Sequence, residues 1–146
     1  MERGDFAGAY RLLGPRGLRE RARRAPPEEL LLLADVARRA GQPREAAPLL
    51  ARVVELGPSD ARAPVAAFTL GRLQLDRLGS PAEAAESFAF VRRHGAALRE
   101  DATALEATAR ARAGQTARAR VVADEYLGAY PEGRRAAAMR RLTESE

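Results

Sequence analysis

Residues 27–58, PEELLLLADVARRAGQPREAAPLLARVVELGP, carry the pattern that decides the fold. Gly41 divides this stretch, and apolar side chains recur at helical spacing on both sides of it. The apolar positions are Leu30, Leu33, Ala34 and Ala37 before the glycine, and Ala46, Leu49, Leu50, Val53 and Val54 after it. Pro27 and Pro43 each suit the first turn of a helix, and Pro58 suits the end of the unit. The stretch therefore predicts two helices, A and B, joined by a tight glycine turn.

The same arrangement returns along the chain. Gly79 and Gly114 also close apolar-periodic segments, and the spacings from Gly41 onward are 38 and 35 residues. Gly4 precedes Gly41 by 37 residues. A period near ~34 residues, made of a helix, a glycine turn and a second helix, is typical of helical repeat proteins.

These positions resemble the tetratricopeptide repeat family. In that family a large residue stands beside a small one in helix A, a glycine forms the turn, an alanine follows five residues later, and a proline ends the unit. The matching residues are Gly41, Ala46 and Pro58 in the first unit, Leu70, Gly71, Gly79 and Ala84 in the second, and Gly114, Ala119 and Pro131 in the third. The chain departs from the pattern at Leu30, where tryptophan is common, and at Ala34, which replaces glycine. The second unit has one extra residue before Gly79 and no terminal proline.

The resemblance implies an all-α fold, an α-solenoid of antiparallel helix pairs within one domain, residues 1–146. Its repeats would span residues 27–58, 59–95 and 97–131, and a capping helix would span residues 132–143. Residues 1–25 would form a partial unit followed by a short basic helix, because Gly14 and Pro15 interrupt the helical pattern. The partial unit favours a fragment of a longer protein over a domain with an unusual cap. Its apolar face around Phe6, Tyr10 and Leu13 makes a homodimer a further hypothesis.

Composition narrows the function classes. The chain has no cysteine, so disulfides and cysteine metal sites are excluded. No apolar stretch approaches the ~20 residues that span a bilayer, and the first residues lack a signal-peptide pattern. All 25 basic residues are arginine, while lysine, asparagine and isoleucine are absent, which indicates a GC-rich genome. The net charge of +5 therefore partly reflects codon usage.

The sequence offers little evidence for a catalytic site. The single histidine, His94, falls at a predicted helix end, where the helix dipole favours it. The carboxylate pairs Glu28–Glu29 and Glu100–Asp101 fall at predicted helix starts, where they stabilise the dipole. No phosphate-binding loop and no His/Cys cluster is present. We expect a protein that is not an enzyme and that needs no cofactor or metal.

Two arginine clusters require a separate interpretation. They comprise Arg16, Arg19, Arg21, Arg23 and Arg24, and then Arg134, Arg135, Arg140 and Arg141. One interpretation is a binding surface for nucleic acid or an anionic membrane. The other is a set of solvated helix faces in an arginine-rich protein. The second is favoured because no aromatic side chains are interleaved to stack on bases.

The resemblance places the candidate binding site on the A helices, which in that family line a concave groove that holds a peptide or a partner helix. The residues expected to face the groove are Asp35, Arg38, Arg39, Phe68, Arg72, Asp76, Thr108 and Arg112. Phe68 could be an apolar anchor for the partner or could pack between helices. The chain has neither lysine nor asparagine, so the carboxylate grip of co-chaperone members is not expected here.

A narrower resemblance concerns residues 127–134, LGAYPEGR, and the long helix A predicted for residues 62–78. Both are similar to envelope-associated bacterial repeat proteins of the CpoB-like and BamD-like groups, and to the C-terminal repeat regions of FecR-type sigma-factor regulators. This resemblance implies a protein–protein interaction domain within a larger envelope or signalling protein. A stand-alone envelope-assembly adaptor is the alternative. The protein would be periplasmic or envelope-associated if it is a fragment of an anchored protein, and otherwise cytoplasmic.

Overall fold

The computed structural model describes residues 5–144, and within them the secondary structure is helical, with no β-strand. The all-α class predicted from the sequence is therefore confirmed. The helices are α1 Phe6–Ala22, α2 Pro27–Arg39, α3 Pro43–Val54, α4 Arg62–Asp76, α5 Pro81–His94, α6 Arg99–Arg112, α7 Thr116–Ala129 and α8 Ala136–Glu144. A short 3-10 helix, Ala96–Leu98, precedes α6.

The three predicted glycine turns are present and share one backbone conformation. The φ angles of Gly41, Gly79 and Gly114 are 75°, 61° and 79°, in the left-handed region that glycine enters without steric cost. In two of these turns the N–H after the glycine donates to a carbonyl five residues earlier, from Gln42 to Ala37 at 2.8 Å and from Gln115 to Arg110 at 2.8 Å. These bonds satisfy carbonyls at the end of the preceding helix.

The turn at Gly79 is one residue longer. The N–H of Ser80 donates to the carbonyl of Gln74, six residues back, at 2.8 Å. The extra residue noticed in the sequence before Gly79 is therefore accommodated in this turn. Gly4, the fourth glycine of the predicted period, lies outside the described residues.

The residues at the helix starts follow the preferences of the first helical turn for proline and acidic side chains. Proline occupies the first turn of α2, α3 and α5, and the same turns contain acidic residues. Asp60 caps the start of α4, because its Oδ1 accepts from the Arg62 N–H at 2.9 Å. Ser80 occupies the N-cap position of α5, but its side chain makes no capping hydrogen bond to the helix. Its hydroxyl donates to the carbonyl of Leu78 instead.

The chain forms two compact units, Met1–Ala66 and Ala67–Glu146, and the boundary between them falls within α4. In the first unit, α1 packs on α2 and α2 packs on α3. The break predicted in α1 is a kink at Gly14, with φ 68° and ψ 167°, just before Pro15. The segment after the kink ends at Ala22, three residues earlier than predicted. The buried side chains include Leu18, Leu30, Leu33, Leu50 and Val53.

In the second unit, α5, α6, α7 and α8 pack on one another in chain order. One buried cluster joins the end of α4 to α5 and α6 through Leu75, Phe88 and Leu105. A second cluster joins α6, α7 and α8 through Ala107, Tyr126 and Met139. The capping helix was predicted over residues 132–143. In the structure residues 132–135 belong to the connection between α7 and α8, and the helix spans Ala136–Glu144.

Gly71 allows α4 and α5 to approach closely. A Cβ atom at this position would lie only 2.8 Å from Cε1 of Phe88. The absence of a side chain at Gly71 therefore leaves the space that the Phe88 ring fills, which is the physical reason for the Leu-Gly pair that the sequence shows.

Candidate functional site

The three predicted groove residues of α2 form one ion-pair cluster on the first unit. The Arg38 guanidinium donates to Asp35 Oδ1 at 2.7 Å, and Arg39 Nε lies 3.7 Å from Asp35 Oδ2. The Arg39 guanidinium also lies over the Phe6 ring, 4.6 Å from its centroid. We call this set, Asp35, Arg38 and Arg39, the α2 surface. It carries two positive charges and one negative charge.

Four of the five predicted residues of the second unit are polar and at least partly exposed. Arg72 and Asp76 form an ion pair along α4, with 3.3 Å between Nε and Oδ2, and both are exposed. Thr108 donates its hydroxyl to the Ala104 carbonyl at 3.1 Å, and Arg112 is exposed at the end of α6. The first cluster of the second unit contains residues of both helices, Leu75 of α4 and Ala109 of α6. We call Arg72, Asp76, Thr108 and Arg112 the α4/α6 surface.

Phe68, the fifth predicted residue, packs into the second unit. Its ring meets the ring of Phe88 edge to face, with 5.8 Å between centroids, and it lies against the cluster of Leu75 and Leu105. Of the two interpretations of Phe68, the structure favours packing, because the side chain is partly buried and its ring has neighbours within the second unit.

Sequence reasoning missed a buried ionic network in the second unit. Glu106 is 1% exposed and Arg110 is 6% exposed, both on α6. Arg110 donates from Nε to Glu106 Oε1 at 2.9 Å, and Arg92 of α5 donates from Nε to Glu106 Oε2 at 2.6 Å. Thr103 is also buried and donates to the Arg99 carbonyl. The spacing of four residues between Glu106 and Arg110 was the available signal, but it is equally typical of an exposed helix face.

The network continues outward to the surface. Arg92 Nη1 lies 2.8 Å from Glu125 Oε2 of α7, and Arg110 Nη1 lies 3.4 Å from Glu86 Oε1 of α5. Burial opposes the charged form of Arg92, but the hydrogen bond and the charge of Glu106, together with the charge of Glu125, outweigh it and raise the pKa of Arg92. Arg92 is therefore a permanent cation in this position.

Ion pairs occupy most of the two arginine clusters. In the first cluster Arg19 pairs with Glu45, Arg21 with Glu29, and Arg23 with Glu20. In the second, Arg134 and Arg135 share Asp101, and Arg140 donates to the Pro131 carbonyl. These contacts lower the net positive field of both clusters, although exposed pairs of this kind are individually weak.

The residues weighed for catalysis occupy the helix ends predicted for them. His94 is the last residue of α5, and its ring lies 4.9 Å from the Phe90 ring. Glu28 and Glu29 begin α2, and Glu100 and Asp101 begin α6. Across residues 5–144, no three His, Cys, Asp or Glu side chains come together as a metal-ligand group. Within the same described range, no helix combines the length and apolar character needed to cross a bilayer.

No protein-family model matches the chain, and no curated protein matches it.

Proposed function

We propose that this chain is a tetratricopeptide-like protein-interaction domain that binds a partner protein or peptide and catalyses no reaction. The observation that carries the proposal is the recurrence of a glycine with a left-handed φ angle at Gly41, Gly79 and Gly114, each in a turn between two helices. Repetition of one helix–turn–helix unit is the hallmark of proteins that present extended binding surfaces. The family context in bacterial envelope or sigma-factor signalling stays a prediction from the sequence resemblance.

The proposed binding residues are those of the α2 surface and of the α4/α6 surface. Each surface carries two arginines and one aspartate, and three of the four arginines already lie in ion pairs within their own helix. Since Phe68 is partly buried against the apolar cluster of the second unit, the contact offered to a partner is mainly polar. The excess of arginine favours a partner segment that contains carboxylates, which arginine can bind through paired hydrogen bonds.

The ion pairs within the two arginine clusters favour protein binding over nucleic-acid binding as the function. Carboxylates such as those of Glu45, Glu29 and Asp101 already bind arginines of the clusters. The phosphates of a nucleic acid would have to compete with these carboxylates for the same guanidinium groups. No aromatic side chain lies among the arginines to stack on a base.

The proposal is tested by affinity capture from a nuclease-treated lysate of a bacterium with a GC-rich genome, washed at low and at high salt. The baits are the parent chain, the variant Arg72→Ala/Arg112→Ala on the α4/α6 surface, and a matched control, Arg93→Ala/Arg118→Ala. The control removes two exposed arginines from α5 and α7, so both variants lose the same charge. The affinity of each captured protein for all three baits is then measured by calorimetry.

A partner of the proposed site binds the parent and the control with similar affinity at high salt. Its affinity for the α4/α6 variant falls about tenfold or more, equivalent to roughly 1.4 kcal/mol. Equal binding to all three baits would exclude the α4/α6 surface. Capture that disappears after nuclease treatment would replace the proposal with nucleic-acid binding.

A further inference from the structure

Glu106 is the centre of a network that reaches three helices of the second unit. Both of its carboxylate oxygens are occupied, because Arg92 of α5 binds Oε2 and Arg110 of α6 binds Oε1. The side chain of Glu106 is 1% exposed, and those of Arg92 and Arg110 are 27% and 7% exposed. A carboxylate so deeply buried is tolerated only when it is paired and hydrogen-bonded.

The two arginines extend from Glu106 toward opposite ends of the neighbouring helices. Arg92 lies in the last turn of α5 and also binds Glu125, which lies near the end of α7. Arg110 binds Glu86 in the first half of α5 and Gln115, the residue that precedes α7. One guanidinium therefore links the ends of α5 and α7, and the other links the region where both helices begin.

The apolar interior around α6 explains why such a link is needed. The buried apolar residues of α6 are mostly alanines, namely Ala102, Ala104, Ala107 and Ala109, with Leu105 as the one large side chain. Alanine allows neighbouring helices to approach closely but offers little side-chain volume to interlock with them. Small apolar side chains alone leave sliding and rotation between helices weakly opposed, whereas the charge-assisted hydrogen bonds of a guanidinium group are directional.

We propose that Glu106, Arg92 and Arg110 form a two-point electrostatic clamp that fixes the spacing of α5 and α7 on either side of α6. Arg92 sets the spacing at the ends of the two helices, and Arg110 sets it at their beginnings. The clamp is a conformational device of the second unit, and it stands independently of which partner the protein binds.

Distances between spin labels test the two points separately. The chain has no cysteine, so labels attach only at introduced positions. Arg93→Cys with Gly128→Cys reports the ends of α5 and α7, and Ala82→Cys with Ala117→Cys reports their beginnings; all four positions are exposed. Each labelled pair is measured by double electron–electron resonance in the parent, in Arg92→Met, in Arg110→Met and in the charge-matched control Arg141→Met on α8.

The clamp predicts a crossed result. Arg92→Met shifts or broadens the distance distribution at the helix ends and leaves the beginnings as in Arg141→Met, while Arg110→Met does the reverse. If circular dichroism shows either methionine variant to be unfolded, Arg92→Lys or Arg110→Lys replaces it, because lysine keeps the charge but cannot bind two carboxylates as a fork. Unchanged distributions in folded variants, or equal shifts of both label pairs in both variants, would overturn the clamp.

Discussion

The α2–α3 pair of the first unit and the α6–α7 pair of the second share a turn and differ in their interiors. The turns at Gly41 and Gly114 have φ angles within a few degrees of each other and equivalent hydrogen bonds. The buried residues of α2 and α3 are mainly leucine and valine, and the carboxylate of Asp35 is paired at the surface. The buried apolar residues of α6 are mainly alanine, and the carboxylate of Glu106 is paired in the interior. One local turn thus joins helix pairs that are held by different interactions.

The largest expected effect is a loss of stability when the buried carboxylate of Glu106 is removed, compared with removal of the surface carboxylate of Asp35. Glu106→Ala leaves Arg92 and Arg110 without their shared partner in a largely buried site, so we expect a loss of about 3–5 kcal/mol in the free energy of unfolding. Asp35→Ala removes a surface carboxylate that also binds two arginines, and we expect a loss of at most about 1 kcal/mol. Urea denaturation followed by circular dichroism measures both. Equal losses would show that the two helix pairs are held in the same way.

The next effect concerns close helix approach in the second unit. Gly71→Ala places a Cβ atom against the Phe88 ring, so we expect a destabilisation of about 1–3 kcal/mol. Gly128→Ala is the matched control, since its Cβ meets nothing within 4 Å and alanine should stabilise α7 by about 0.5–1 kcal/mol. The double variant Gly71→Ala/Phe88→Leu should recover part of the loss. Denaturation midpoints of all three variants provide the measurement, and a neutral Gly71→Ala would exclude the tight α4–α5 contact.

The shared turn predicts equal effects in the two units. Gly41→Ala and Gly114→Ala each force a Cβ into the left-handed region, where nothing else lies within 4 Å, so we expect each to cost about 1–2 kcal/mol. The two losses should agree within experimental error, because the cost arises from the backbone and not from the neighbouring core. Thermal unfolding of both variants measures it. A loss found at only one glycine would show that the two turns are not energetically equivalent.

The glycine turns and the helix starts are the features of the fold that the sequence could predict. The turns at Gly41, Gly79 and Gly114 and the helix starts at Pro27 and Pro43 depend on local rules of φ angle and capping, so the sequence reveals them directly.

The missed features depend on contacts between helices. The spacing of Glu106 and Arg110 is the same on an exposed helix as on a buried one, and only the packing of α5 and α7 against α6 decides which applies. The choice between the two interpretations of Phe68 likewise depended on another helix, because the Phe68 ring packs on Phe88 of α5, whose own ring fills the space at Gly71. Packing of this kind is not encoded in any short stretch of the chain.

The smallest effect is a pH dependence in the first unit. The hydrogen bonds that the Arg62 side chain and N–H donate to Asp60 lower the pKa of its carboxyl from 3.8 to about 2. Because the folded pKa is lowered, this contribution to stability is complete above about pH 4 and is lost as the pH falls toward 2. Asp60→Asn should therefore flatten the dependence of the unfolding midpoint on pH between 4 and 2, and Asp124→Asn, at an exposed aspartate of α7, should not.

Unfolding midpoints of the parent and of both variants, measured in steps between pH 2 and pH 5, test this contribution. Asp60 lies near the surface, so its contribution to stability should be small beside that of the buried Glu106. We expect it to change the slope of the unfolding midpoint against pH more than the midpoint itself. A parent slope that Asp60→Asn leaves unchanged would assign the acid sensitivity of the first unit to other carboxylates.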